Sequence, residues 1–264
     1  MATKTVKPAS AEEAAGSAGS DDSASPLLRV DGLAVSFGSK RVLDDVSFSV
    51  APGELLAFLG ANGSGKSTTL RAVAGLTPYQ SGDIEVGGSH GRPAMVFQKI
   101  HLVARRSVLD NVCAGALGRM SSLASLHPWL FPAAIRREAM VALDRVGLAD
   151  RATDRAGTLS GGQQQRVAVA RALCQGAEVL LADEPVAALD PQAARTVMSL
   201  LRDLAHDEGL AVAAVLHQPD LAREFADTII GLQSGEIVLR GTSEEISAEA
   251  ITSLYTTAPI AEDE

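Results

Sequence analysis

The stretch Gly60-Ala61-Asn62-Gly63-Ser64-Gly65-Lys66-Ser67 fits the pattern G-x-x-x-x-G-K-[ST]. An apolar run, Leu55 to Leu59, precedes it and reads as a buried strand; a helical stretch, Lys66 to Leu76, follows. A strand, a glycine-rich turn and a helix in that order make a phosphate cradle. The glycines let the backbone curl so that its N–H groups converge on phosphate oxygens, and the helix N-terminus adds partial positive charge behind them. In such a cradle Lys66 reaches the β- and γ-phosphates and the Ser67 hydroxyl ligates Mg²⁺. The loop specifies a nucleotide phosphate chain and leaves open what its energy drives.

The totals narrow that use. The chain has 264 residues, 46% of them hydrophobic and 3% aromatic, with a formal charge of −9. Residues 1–26 hold two lysines against four acids, and Glu262, Asp263 and Glu264 add three negative charges, which leaves −4 for the middle. Acidic balance and scarce aromatics argue against nucleic acid as a partner. Cys113 and Cys174 make no C-x-x-C pair, and read as buried free thiols in a reducing compartment. No apolar run approaches the roughly 18 residues that span a bilayer, and no apolar leader segment is present, so the expectation is a cytosolic chain that meets a membrane through a partner.

Outward from the loop, residues 1–26 are rich in Ala, Ser, Gly and acids and are expected to be a disordered tail. Alternation at Leu28, Val30, Leu33, Val35 and Phe37, and again at Val46, Phe48 and Val50, predicts an antiparallel sheet. Phe37 is either core or a platform for a base; residues alone favour core. Ile84–Val86 and Ala94–Phe97 read as strands, the second ending at Gln98, which is either a solvated strand end or a ligand to Mg²⁺ or the attacking water. Val108 to Leu117 and Ala133 to Val146 read as helices, the latter with Ile135, Ala139, Leu143 and Val146 on one face. Between them the apolar, proline-broken stretch Leu123 to Pro132 is either subdomain core or a docking surface.

Leu159-Ser160-Gly161-Gly162-Gln163 opens a helix running through Gln175. Ser160 suits a helix cap, but a cap needs no paired glycines, whereas close approach of a ligand does. Val179 to Ala182 is an apolar strand ending in Asp183 and Glu184, two carboxylates that are costly in a fold unless paired or bound to metal. Asp183 fits the Mg²⁺ shell; Glu184 fits a residue that orients or deprotonates water. Asp190-Pro191 starts another helix, and the strand Ala211 to Leu216 ends at His217 on the side where Gln98 and Glu184 emerge. Thr228–Leu232 and Glu236–Leu239 form a hairpin, Ala248–Tyr255 a terminal helix, and residues 258–264 an acidic tail.

In this order, Gly60–Ser67, Gln98, Leu159–Gln163, Asp183-Glu184, Asp190 and His217 resemble the ATP-binding subunits of ABC transporters over roughly residues 27 to 255; L-S-G-G-Q is nearly diagnostic. The resemblance implies an α/β fold with a RecA-like P-loop NTPase core sheet, an antiparallel β subdomain and a helical subdomain at about 99–163, inserted in an ATP-binding domain of residues 27–257. It also implies a head-to-tail homodimer with ATP sandwiched between one subunit's phosphate loop and its partner's Ser160, Gly161, Gly162 and Gln163. Phe37 would then stack on adenine, reversing the choice made from residues alone, and His217 would contact the γ-phosphate. Gln98 would couple the nucleotide to a helical subdomain that docks a transmembrane permease. Gly60, Asn62, Gly63, Ser64, Gly65, Lys66, Ser67, Thr68 and Asp190 complete the nucleotide-binding set, with Ser67, Gln98 and Asp183 for Mg²⁺.

A narrower resemblance, to phosphonate-importer ATPases, rests on Gly115–Arg119, Ala142–Leu148, Leu181–Pro191 and Leu216–Gln218 with Asp220–Arg223. Lys99-Ile100-His101 and Ala187-Ala188 depart from the usual family residues. It implies a permease partnered by a solute-binding protein, and a peripheral place at the cytoplasmic face of the membrane. The rival readings are the ATPase of an exporter or lipoprotein-release system, and a soluble ABC ATPase without a permease. A single cassette, no heptad run and an acidic balance weigh against the last.

Overall fold

Runs of five apolar residues without a polar interruption suit strands covered on both faces. The structure, a computed structural model, describes residues 7–8, 25–88, 91–120 and 131–256. Its strands in chain order are β1 (Lys7–Pro8), β2 (Leu28–Phe37), β3 (Lys40–Val50), β4 (Leu55–Leu59), β5 (Ser81–Val86), β6 (Ala94–Val96), β7 (Val179–Asp183), β8 (Ala211–Val215), β9 (Thr228–Gln233) and β10 (Glu236–Thr242). The α-helices are α1 (Lys66–Val73), α2 (Val108–Cys113), α3 (Ala133–Arg145), α4 (Gly161–Leu173), α5 (Pro191–His206), α6 (Pro219–Phe225) and α7 (Ala248–Thr256).

Every residue of β4, β7 and β8 is buried. These strands form the centre of a six-stranded sheet in the order β10-β9-β4-β8-β7-β6, parallel except for β10. The period of two along β4 divides the core. Leu55, Ala57 and Leu59 join the helical side, while Leu56 and Phe58 face a second cluster beneath the antiparallel sheet. That second sheet runs β1-β5-β2-β3, antiparallel but for the short β1–β5 pair. Phe58 of β4 meets Phe48 of β3 edge to face, ring centroids 5.0 Å apart, and so locks the two sheets together.

The helices start as their sequences dictate. Asp190 caps α5 by accepting from Ala193 N at 3.0 Å, with Pro191 in the first turn. The α5 stripe Ala194, Val197, Met198, Leu201, Leu204 and Ala205 is buried, each leucine contributing roughly 1.5–3 kcal/mol. Ala139 and Leu143 of α3, and Val146 just past its end, are buried as the periodicity predicts, and Ile135 packs partly buried beside them. Three expected helices end early. The first stops at Val73, where Gly75 adopts φ +71° and its N–H closes on Ala72 O. The second gives way at Cys113 to a 3₁₀ turn, Ala114–Arg119. The third, α4, ends at Leu173 rather than Gln175. Residues 121–130, most of the proline-broken apolar stretch, lie outside the described residues, as do the acidic C-terminal residues; Phe131, at the end of that stretch, is buried.

Both cysteines are free and buried. Burial first, and the neighbouring Cys174 second, push the Cys113 thiol up to about 12. Burial raises Cys174 as well. Thiolate is therefore scarce at neutral pH. A disulfide reagent at pH 8 should label neither thiol of the native chain within minutes and both after unfolding in urea; rapid native labelling would contradict this packing.

Candidate active site

The strand β4 delivers the chain to Gly60, whose φ is +143°. A Cβ there would lie 2.1 Å from the Leu232 carbonyl oxygen, so no other residue fits without moving β9. Gly235 N–H, in the β9–β10 turn, donates to Ser64 O at 3.1 Å. The last third of the chain thus braces the loop from behind, through contacts that its sequence does not announce.

Lys66 is 4% exposed, and its Nζ donates to Gly60 O at 2.8 Å and Ala61 O at 2.9 Å. Burial lowers its pKa, and Glu184 and Asp183 partly offset that. A cavity of about 380 Å³ opens over the loop, lined by Asn62, Gly63, Gly65, Lys66, Ser67 and Thr68 on one side and by Glu184 and His217 on the other. Phe37, Lys40 and Val42 complete its wall. Lys40 and Val42 carried no signal in the sequence; only the turn of the β2–β3 hairpin brings them there.

Phe37 is 56% exposed, which corrects the core assignment made from residues alone. Carrying the alternation of Leu33 and Val35 forward puts Phe37 inside. Register shifts in the β2–β3 pairing, including one between Val35 and Ser36, break that parity. The ring therefore faces the cavity mouth.

Glu184 follows β7 with φ +51°, an unusual conformation for a residue with a side chain. Both carboxylate oxygens are held: Gln98 Nε2 donates to Oε2 at 2.6 Å, and His217 Nε2 lies 2.5 Å from Oε1. Three strand ends, β6, β7 and β8, thus converge on one carboxylate. An ionised carboxylate only accepts, so this contact to an ionised Glu184 requires the proton on Nε2 of His217. Gln98 touches the cavity through Glu184 and is not part of its lining.

Asp183 is 2% exposed. Its Oδ2 is 3.4 Å from Arg71 Nη2, and its Oδ1 is buried without a hydrogen-bond partner among the described residues, as is Ser64 Oγ. An orphaned carboxylate oxygen at the phosphate loop is what a bound cation would satisfy. Asp183, Ser67 and Gln98 each carry an oxygen donor of the kind that Mg²⁺ takes.

Ser160 and Gln163 do not line this cavity, nor do Gly161, Gly162 and Asp190. Ser160 Oγ accepts from Gln163 N at 3.3 Å and Gln163 Oε1 accepts from Ser160 N at 2.9 Å, a reciprocal helix cap. One of the paired glycines has an internal cause as well: a Cβ on Gly162 would meet Ala193 Cβ at 2.9 Å, because α4 and α5 cross there. Ser160 and Gly161 nonetheless face outward, exposed.

Comparison with known proteins places these features in a family. The family model for ABC transporters matches residues 43–187. A phosphonates import ATP-binding protein of Frankia casuarinae is 47% identical over 247 residues, covering 88% of this chain and 97% of that protein. A chain of a metal-chelate type ABC transporter in an inward-facing conformation superposes with a TM-score of 0.77 at 31% identity, covering 87% of this chain and 88% of that one. A dimeric bacterial ABC transporter cassette does so at 0.67 and 27%, covering 82% and 98%. A family match over more than half the chain, joined to close identity along nearly the whole of a relative, makes this protein a member of the ABC transporter ATP-binding family.

Proposed function

We propose that this chain binds and hydrolyses ATP to energise an importer of phosphonates or related phosphorus oxyanions. The observation that carries the hydrolytic part is Glu184, held at both oxygens beside the cavity over the phosphate loop. The near-full-length likeness to the Frankia import protein supports the cargo.

In this proposal the N–H groups of Asn62, Gly63, Gly65, Lys66, Ser67 and Thr68 cradle the phosphates, with Gly60 and Ser64 shaping the loop behind them, and Lys66 swings from the Gly60 and Ala61 carbonyls onto the β- and γ-oxygens. Phe37 stacks on adenine. Glu184 takes the proton of a water whose oxygen bonds to the γ-phosphorus while the bond to the bridging β–γ oxygen breaks and ADP leaves. Gln98 and His217 orient that carboxylate, and His217 also contacts the γ-phosphate. Ser67, Asp183 and Gln98 would hold Mg²⁺, which supplies charge neutralisation at the phosphates.

A single chain covers one side of the γ-phosphate, since Ser160–Gln163 lie away from its own cavity. A second copy, head to tail, brings that helix N-terminus over the phosphates and supplies the missing electrostatic stabilisation; Asp190 joins the closed site from the edge. Among the described residues no helix is long and apolar enough to cross a membrane. Attachment to the cytoplasmic face then runs through a permease docked on the helical subdomain, with a solute-binding protein delivering cargo from the far side and no nucleic acid involved.

The test is recovery of the tagged chain from its own membranes in gentle detergent. A multi-span permease should co-purify, and its companion binding protein should bind phosphonate, phosphite or phosphate in titration. Recovery with soluble partners alone would overturn the transport role. Glu184→Gln should cut turnover by at least about 10²-fold while ATP still binds; near-normal turnover removes Glu184 as the base. Lys66→Ala should instead weaken ATP binding itself by about tenfold or more, read by titration calorimetry on protein of unchanged circular dichroism. Unaltered affinity would contradict its role.

A further inference from the structure

One half-buried cation stands outside the cradle. Arg171 lies in the last turn of α4 and reaches the segment that follows β6. Its Nη1 donates to the His101 carbonyl and its Nη2 to the Ile100 carbonyl, both at 3.0 Å. Neither acceptor is a carboxylate, and burial lowers the guanidinium pKa. The guanidinium is partly withdrawn from water, and the two carbonyl contacts offset that cost.

The segment so held begins just past Gln98. His101 sits at φ +48°, a conformation that a side chain disfavours and that its surroundings must impose. Buried Asn111 pins the other end, accepting from Val103 N at 2.8 Å and donating to Val103 O at 3.2 Å. Arg171 is itself fixed from its own side. A Cβ on Gly115 would lie 2.1 Å from the Arg171 carbonyl oxygen, so the 3₁₀ turn presses directly on the α4 backbone at this residue.

We infer that Arg171 is a positioning residue that keeps Gln98 within reach of Glu184. Its helix is the one that Ser160–Gln163 open, so the fork also transmits displacements of that helix to the Gln98 segment. Thirteen residues of helix make a rigid rod of about 20 Å between the end that would meet a partner's nucleotide and the end that sets Gln98 over the chain's own. A planar guanidinium can grip two successive carbonyls at once; an ammonium cannot hold that fork geometry. This role presupposes the Glu184 chemistry proposed above.

The experiment compares the full chain with Arg171→Lys by hydrogen–deuterium exchange without nucleotide and by ATP turnover, each also in a Gln98→Ala background. Exchange across residues 99–103 should rise about 5–10-fold while that of the phosphate loop stays within twofold. Turnover should fall about tenfold with KM for ATP within twofold, and Arg171→Lys should cost nothing further once Gln98 is alanine. Unchanged exchange at 99–103, or an equal fall in both backgrounds, overturns the inference. Should Arg171→Lys fail to fold, Arg171→Gln is read by the same criteria. A wild-type chain that binds ATP but never hydrolyses it, alone or with its membrane partner, sinks the ATPase proposal; the exchange comparison still decides the contact.

Discussion

A loop that offers its N–H groups to an anion must satisfy its carbonyls elsewhere, and the structure around Gly60–Ser67 follows from that requirement. Lys66 folds back onto the Gly60 and Ala61 carbonyls, and Gly235 donates to that of Ser64. Gly60 lies so close to Leu232 that the loop and β9 must be built as one piece. The sheet order that sets β9 beside β4 is therefore a condition of phosphate binding as well as a packing outcome.

The same sheet gathers the reactive groups. Parallel strands all point their C-terminal ends to one side, so Gln98, Glu184 and His217, far apart in the chain, arrive together. The burial that makes β7 a good central strand also makes Asp183 expensive. Among the described residues its Oδ1 has no hydrogen-bond partner, whereas both oxygens of neighbouring Glu184 are held.

Helix α4 shows how one segment meets several demands. Its N-terminus is closed by Ser160 and Gln163, its second glycine admits Ala193, and its last turn grips the Gln98 segment. A residue pattern that caps a helix and admits a crossing helix together cannot be assigned to either from sequence alone.

The phosphate loop, the carboxylates after β7 and the capped start of α4 were legible in the sequence because each is a local chemical pattern. Curl, cap and buried strand depend on near neighbours, so the residues state them directly. The six-stranded order, the β9 brace and the Glu184 clamp join residues as distant as Gln98 and Glu184, and no periodicity reports such pairings. Phe37 marks the boundary most clearly. Alternation placed it inside, and the register shifts between β2 and β3, set by how the two strands pair, turned it to the cavity. Arg171 lies on the same side of that boundary. It is one arginine among many in the sequence, and only the fold puts two carbonyls within its reach. The sequence by itself determined which chemistry is present; tertiary structure decided which groups face one another, because long-range packing and strand register, rather than local propensity, set those distances.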